Sequence, residues 1–465
     1  MKTDFAIVIL AAGLGTRMKS RQAKVLHRAG GKTLIEWATA TATCLAPPKN
    51  VYVIVGYQAQ LVRKALEGSK VGFITQRKQW GTGHAVLAGR RVLKSAAPNL
   101  MVLYGDCPLV SAEALRALQQ KHLEFDAAAT VLTTRLADPS GYGRILRGPS
   151  GAIQAIVEQK AATPEQLAVT EINSGIYCFQ TAPLFELLSR LQPNNPAREY
   201  YLTDVVAGFV GRGLPVESLT ISEPSQVLGI NNRVELAEVD SILRARKARQ
   251  LMLEGVTIQR PETVTLDANV AIGADTVLEP FVQVLGRASI GSGCLIRSFS
   301  VISDSELGDE VTVEPYSTID QSRVERGARV GPYARLRPGS HIGAESQVGN
   351  FVELKKTTLG PRSKALHLAY LGDSSIGAEV NIGAGTITCN YDGVAKHSTL
   401  IEDGAFVGSN STLVAPVKIG KGAYLAAGSV FTEDVPAKSL GIARARQTIK
   451  PGWATRRKKT KKRPV

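Results

Sequence analysis

The chain has 465 residues, 44% of them apolar, which exceeds one ordinary core, implies two or three domains and excludes a disordered protein. Its apolar runs are strand-sized, such as Phe5–Leu10, which excludes membrane insertion, and the N-terminus has none of the three parts of a signal peptide. Of the net charge of +16, seven units crowd into the last ten residues and leave +9 for the body, which suits anionic substrates rather than specific nucleic-acid recognition.

In chain order, Phe5–Leu10 reads as a first buried strand running into a glycine-rich loop, Leu10–Met18, that opens a helix. Val51–Val55 is a second strand, punctuated by Gly56, and Leu100–Tyr104 a third, ending at Gly105-Asp106. Helical patterns such as Ala112–His122 lie between or after them. Strands alternating with helices predict an α/β doubly wound, Rossmann-like, mostly parallel sheet. Ligands in such sheets bind beyond the carboxyl ends of the strands, where all three loops fall.

From Val234 to Glu254 the pattern turns helical. Leu236, Val239, Leu243 and Leu251 recur at helical spacing, with acids early and bases late, and Gly255 supplies a stop. This segment predicts a rigid connector. Beyond it the period is six: Ile272, Leu278, Val284, Ile290, Ile296 and Ile302 step without a miss. The register slips by one to Leu307, Val313 and Ile319, and again to Val324, Val330, Leu336, Ile342, Val348 and Leu354. Ile401, Val407, Leu413, Ile419 and Leu425 resume it. One aliphatic residue per hexad predicts a parallel β-helix, with glycines as in Ile272-Gly273-Ala274 and Ile382-Gly383-Ala384 at its corners. Two interruptions, Gly360–Ser375 and Ile387–Thr399, read as insertions that build a binding surface. The expected domains are therefore 1–230, a helical linker 231–255, a β-helix 256–453 and a basic disordered tail 454–465.

Five cysteines, Cys44, Cys107, Cys178, Cys294 and Cys389, lie too far apart for a metal or redox pair. They predict a reduced, cytoplasmic protein in which they are buried as small hydrophobes.

The motifs LAAGLGTRM (10–18), KVLH (24–27), QWGTGHA (79–85), YGDCPL (104–109), GYGRI (141–145), IVEQK (156–160), EINSGIY (171–177), EYYLTD (199–204) and GINNR (229–233) are together specific. The first half resembles the sugar-nucleotide pyrophosphorylases. Within them it is similar to the bacterial bifunctional UDP-N-acetylglucosamine pyrophosphorylases and glucosamine-1-phosphate N-acetyltransferases. The resemblance implies that Leu10, Ala11, Ala12 and Gly13, with Gln76, Gly81 and Thr82, hold the uracil end of UTP or UDP-sugar. It implies Arg17 and Lys24 on the phosphates as catalytic cations, and Tyr104-Gly105-Asp106 beside the nucleotide. Gly143, Glu158 and Asn173 would grip N-acetylglucosamine, and Asp106 and Asn231 would hold Mg²⁺. These types suit the chemistry, because hard oxygens serve Mg²⁺ while cations neutralise developing pyrophosphate charge, with no covalent intermediate required.

Structural alternatives stand beside these roles. Asp106 could serve as a helix N-cap, Asn231 as cap of the connector helix, and Glu158 as a surface acid. His27 and His84 are given no chemistry. Ala161 departs from the acidic residue that relatives commonly carry after the lysine of E-x-K, a difference confined to contacts near Lys160.

The resemblance continues through ARLRPGS (334–340), VGNFVELKK (348–356), LHLAYLGD (366–373), VNIGAGTITCNYDG (380–393), FVGSNSTLVAPV (406–417) and LAAGSV (425–430), so only the basic tail lies outside it. It implies a left-handed β-helix that assembles as a homotrimer and feeds cell-wall precursor synthesis. Arg337 and Lys355 would bind the sugar phosphate, and Tyr370 and Asn381 would orient the sugar. His367 would be the general base that takes a proton from the attacking amine. Ala384, Asn390, Tyr391, Ser409, Ala427 and Arg444 would contact acetyl-CoA. Three rivals remain: a pyrophosphorylase for another sugar or base with a merely regulatory hexapeptide tail, a non-catalytic scaffold of the same folds, and an RNA-binding protein resting on the basic tail alone.

Overall fold

A computed structural model describes residues 4–195 and 198–460. The chain divides into two compact units, Met1–Arg244 and Ala245–Val465.

The first unit is built on a nine-stranded sheet. Its main path runs Val216–Thr220, Ala129–Arg135, Glu171–Gln180, Asn99–Tyr104, Phe5–Ala11, Val51–Val55 and Gly72–Thr75. Four neighbouring strands at one end are mutually parallel, whereas Glu171–Gln180 runs antiparallel to both of its neighbours, so the sheet is mixed. The first strand shows why its sequence is continuously apolar. Phe5, Ile7, Ile9 and Ala11 enter the core on one face, and Ala6, Val8 and Leu10 enter a second core on the other. Register pairs Leu10 with both Ile54 and Tyr104, which brings the loops after these strands to one edge.

The loop after the first strand corrects one expectation. No α-helix opens there; a single 3₁₀ turn, Thr16–Met18, follows Gly15, and both Gly15 (φ 63°) and Lys19 (φ 47°) are left-handed. A Cβ on Gly15 would stand 2.7 Å from the Lys24 Cβ, so the glycine lets the Lys24 segment close onto the loop.

The connector helix spans Arg233–Leu253. Val239 and Leu243 pack with Leu34, Leu109 and Ile230 of the first unit, while Ala248 and Leu251 join the core of the second.

The second unit is a left-handed parallel β-helix of three flat faces, with eleven, ten and nine strands. Val277 pairs with Leu295 and Leu295 with Thr312, so successive coils advance by 18 and then 17 residues. Every aliphatic residue of the six-residue series is buried inside the prism. A Cβ on Gly383 would lie 2.6 Å from the Ser409 nitrogen in the next coil, which is why the corners need bare backbone.

The first of the two expected interruptions does not exist. Lys364–His367, Tyr370–Gly372 and Ser374–Ile376 pair in register with the coils below and above. The inward series simply continues through Leu359, Ala365, Leu371 and Ile376, all buried, with five-residue steps at the corner that also produced the earlier slips. The small Ala365 concealed it. The second is real: Ile387–Cys389 and Thr399–Ile401 are consecutive strands with a loop between them.

Two further expectations fail. Cys107, Cys178 and Cys294 are buried, but Cys44, capping the C-terminus of the helix Leu34–Thr43, is exposed, and Cys389, at the mouth of the inserted loop, is half-buried. The start of the basic tail is helical over Trp453–Thr460, a stretch without Gly or Pro in which Ala454 and the Arg and Lys residues favour the helix, with Arg457 over the Trp453 ring at 5.1 Å. Lys461, Lys462 and Arg463 lie outside the described residues. Among the described residues, no helix is long and apolar enough to cross a membrane.

Candidate active sites

At the carboxyl edge of the first sheet lies a cavity of about 510 Å³. It is lined by Leu10, Ala11, Ala12, Gly13, Arg17, Lys24, Gln76, Gly81, Thr82, Tyr104, Asp106 and Asn231, all singled out by sequence, and also by Gln79, Tyr142, Ser174 and Glu199, which were not. Gly105, Gly143, Glu158 and Asn173 are not part of that lining. Gly143 and Asn173 are register partners, and Asn173 Oδ1 accepts the Gly175 N–H at 3.0 Å.

The polar centre is a knot of four side chains. The Lys24 ammonium is ion-paired with the Asp106 carboxylate and donates to Asn231 Oδ1 at 3.3 Å. Arg17 Nη2 donates to the same oxygen at 2.8 Å. The Asn231 amide is turned this way because its Nδ2 donates to the Gly229 carbonyl at 3.2 Å. A backbone bond of 3.1 Å from Ile230 to the Asp106 carbonyl holds the two segments side by side.

The capping alternatives are answered by neighbours. Asn232 caps the connector helix, accepting from Val234 and Glu235 N–H at 2.9 and 3.0 Å, so Asn231 is spared. Ser111 caps Ala112–Glu124, so Asp106 is not a cap either. Glu158 is not a free surface acid: burial raises its pKa, and Thr203 donates to it at 3.4 Å. Burial, followed by the charges of Glu158 and Asp106, drives the Tyr104 phenol far above its ordinary range and keeps it a neutral donor. Ala161 sits exposed in the 3₁₀ turn Gln159–Ala161, beside an equally exposed Lys160.

Two oxygen donors of hard character, Asp106 Oδ2 and Asn231 Oδ1, thus converge on one cation, here Lys24. Among the described residues no group of three or more His, Cys, Asp or Glu converges. A sparse carboxylate–amide pair fits Mg²⁺, which takes its remaining ligands from water and phosphate.

The second constellation lies along one corner of the prism. His367 ends the strand Lys364–His367 and stands on the outer surface, in a regular coil rather than in an insertion as expected. Its register partner is Asn350, whose Oδ1 lies 2.8 Å from His367 Nδ1. An amide oxygen only accepts, so Nδ1 carries the proton and Nε2 keeps its lone pair outward. Asn350, His367, Ala384, Ser409 and Ala427 occupy equivalent places in successive coils, each three residues past a registered pair. Arg444 Nη1 donates to the Ala427 carbonyl at 2.7 Å, joining the top of this column.

Beside it, on the adjoining face, Tyr370 lies in register between Glu353 and Ile387. Arg337 is held by Glu353 at 2.9 Å, and Lys355 by Asp373 at 3.3 Å. Asn381 pairs with Lys364 and Phe406. Asn390 donates to Asp373 and therefore belongs with the cations, apart from the column shared by Ala384, Ser409 and Ala427. Tyr391 is exposed on the inserted loop, its hydroxyl on the Gly393 carbonyl.

Sequence reasoning missed Asn350, Asp373 and Lys396. Lys396 comes from the inserted loop to lie against Lys355, whose proximity lowers the Lys396 pKa. Two ammonium groups facing each other, with Arg337 near the same strand end, make a seat for a dianion. The loop is braced by Asp392, which accepts from Ala395 and Val394 N–H at 2.7 and 2.8 Å and pairs with His397 at 2.7 Å. Those contacts, the Ala395 bond first, hold its carboxyl below the usual range.

Comparison with known proteins agrees with this division. A family model described as MobA-like NTP transferase domain matches residues 7–148, and one described as bacterial transferase hexapeptide (six repeats) matches 269–304 and 398–433. Curated relatives called bifunctional protein GlmU include one from Solibacter usitatus, 54% identical over 99% of both chains. Another, from Koribacter versatilis, is 50% identical over 98% of both. That from Geotalea uraniireducens is 44% identical over 98% of this chain and 100% of its own.

Proposed function

Because the chain belongs to the bifunctional GlmU family, we propose that its β-helix acetylates glucosamine-1-phosphate from acetyl-CoA and that its first unit then transfers UMP from UTP to the N-acetylated product, releasing pyrophosphate. The observation that carries this reading is the pairing, in one chain, of a cation-lined nucleotide cavity with an outward histidine beside a second cluster of cations.

In the first unit, Leu10–Gly13, Gln76, Gly81 and Thr82 take the uracil end, and Gly143, Glu158 and Asn173 take the sugar. Arg17 and Lys24, resting on Asn231 and Asp106 in the free protein, move their donors onto the triphosphate when it enters. The barrier is repulsion between a phosphate dianion and the α-phosphate, so cations and in-line positioning supply most of the catalysis. Asp106 and Asn231 would hold a Mg²⁺ ion, which when bound draws charge from the phosphate oxygens.

In the second unit, Arg337, Lys355 and Lys396 seat the sugar phosphate, with Tyr370 and Asn381 against the ring. Ala384, Ser409, Ala427 and Arg444 carry acetyl-CoA along the corner column, with Asn390 and Tyr391 bordering it. The amine attacks the thioester carbonyl as Nε2 of His367 takes its proton, a role typically worth ~10²–10⁴ in rate. The column has protein on one side only, and five stacked, exposed rings, Phe281, Phe299, Tyr316, Tyr333 and Phe351, continue below it. Both features support a homotrimer in which a neighbouring copy supplies the missing wall. The substrates imply a cytoplasmic enzyme.

A coupled assay tests the reading. UTP, acetyl-CoA and glucosamine-1-phosphate go in; UDP-N-acetylglucosamine and pyrophosphate come out. Lys24→Ala is expected to stop only the second reaction and His367→Ala only the first. Absence of acetyl-CoA consumption by the parent protein would leave the β-helix with a regulatory role instead.

A further inference from the structure

Gln76 follows the strand Gly72–Thr75 into the nucleotide cavity, only 3% exposed, with its backbone N–H on the Val55 carbonyl at 2.8 Å. Its side-chain amide has a donor end and an acceptor end, and its surroundings decide which one meets a ligand. Nε2 lies 3.2 Å from the Gly81 carbonyl, an atom that only accepts, so the NH₂ end must be there. The second partner of Nε2 is Nδ1 of His84, at 3.0 Å.

For that contact to be a hydrogen bond, His84 Nδ1 must carry a lone pair. Burial lowers the His84 pKa, so the ring stays neutral, and the tautomer protonated at Nε2 leaves that lone pair on Nδ1. With both amide hydrogens engaged, Oε1 of Gln76 is left as the acceptor for the cavity. Turning the amide by 180° would place an N–H there instead and set Oε1 against the Gly81 carbonyl.

We propose that His84 is a positioning residue that locks the Gln76 amide with its oxygen toward the base, and so selects a pyrimidine bearing N–H at ring position 3, such as uracil, over cytosine. Cytosine presents a lone pair at that position and would face Gln76 Oε1 acceptor to acceptor. The inference rests on the reading that Gln76 meets the base. It differs from a packing role, which the neighbouring Trp80 and Tyr200 rings, at 5.1 and 6.2 Å, would equally support.

The test uses the full chain with Mg²⁺, reading the KM for UTP and the inhibition constant of CTP, with acetyl transfer as the internal control of integrity. His84→Phe keeps a ring but removes the acceptor. It is expected to weaken UTP about tenfold with little change in kcat and to leave CTP unchanged or tighter, as loss of a base-reading hydrogen bond does. His84→Asn, which restores an acceptor, is expected to recover discrimination to within about threefold, and Gln76→Ala to abolish it, with no further loss on adding His84→Phe. If His84→Phe weakens UTP and CTP equally, or neither, while Gln76→Ala removes discrimination, the orienting role is wrong. If Gln76→Ala itself leaves discrimination intact, the placement of the base fails, and the proposal with it.

Discussion

Substituting Asn350 separates orientation of the proposed acetyl-transfer base, His367, from the base itself. In the structure one neutral hydrogen bond of 2.8 Å ties His367 Nδ1 to Asn350 Oδ1, on an exposed corner. Such a bond has a net worth of about 0.5–1.5 kcal/mol, and each ~1.4 kcal/mol is tenfold in rate. Asn350→Ala is therefore expected to lower kcat for acetyl transfer by about 2- to 12-fold, whereas His367→Ala should lower it by ~10²–10⁴. Asn350→Asp adds a second signature. A carboxylate on Nδ1 favours the charged imidazolium, so Nε2 becomes free to accept a proton only at higher pH. The acid limb of the rate profile should move up by about one unit while the plateau is largely kept. CoA release followed with a chromogenic thiol reagent, across pH, reads both effects, and uridylyl transfer in the same preparations reports integrity. Asn350→Ala as damaging as His367→Ala, or Asn350→Asp with an unmoved acid limb, would refute the proposed tautomer and with it Nε2 as the accepting atom.

Asp106→Ala removes the partner of Lys24 and one of two convergent oxygens, and should cut uridylyl transfer about a hundredfold or more while acetyl transfer persists; near-parent activity in a pyrophosphate-release assay would remove Asp106 from the site. Lys396→Ala should raise the KM for glucosamine-1-phosphate about tenfold with a smaller change in kcat, and because its pKa is lowered, the parent's affinity should weaken at a lower alkaline pH than a free lysine would give. An unchanged KM in a sugar-phosphate titration would count against it. His122 is buried between Thr130 and Asn99, and burial holds its pKa at about 4 against 6.5 unfolded. The unfolded chain therefore binds the proton first as pH falls. Stability from this group is complete above pH ~6.5 and is lost toward pH ~4, to a total of about 3 kcal/mol at ~1.36 kcal/mol per unit. His122→Asn should flatten that slope in acid unfolding followed by circular dichroism, and an unaltered slope would contradict the assignment.

What the sequence disclosed follows from what repeats in it. A prism whose every face buries one aliphatic side chain writes its period directly into the chain, so Ile272 to Leu354 could be read without coordinates. The reading failed where a face is satisfied by something smaller or polar. Ala365 is inward and buried but breaks an aliphatic count, and that one residue made a regular coil look like an insertion. Thr388 is also inward, its hydroxyl accepting the Gly372 N–H at 2.8 Å, just before the loop that does interrupt the coil. His367 was singled out on the expectation that it lies in an insertion, whereas it stands in the ladder, where pairing with Asn350 fixes its ring.

In the first unit the same logic runs through loops. Asp106 and Asn231 are 125 positions apart, and the bond from Ile230 to the Asp106 carbonyl, with Lys24 between the two side chains, makes them neighbours. Composition cannot announce such a contact, although matching motifs can. Nor can it tell which of two adjacent asparagines caps a helix and which faces the cavity. That choice is made by the Gly229 carbonyl, which turns the Asn231 amide toward Arg17 and Lys24 while Asn232 takes the helix N–H groups. The same physical device recurs at Asn350 beside His367, and at Gln76 between Gly81 and His84. In each case a side-chain amide and its neighbour fix one another's direction, so that the group turned toward the cavity or the solvent depends on a residue one step removed from it. Sequence motifs therefore mark candidates for both sites, but the direction in which each donor or acceptor points is a property of the fold.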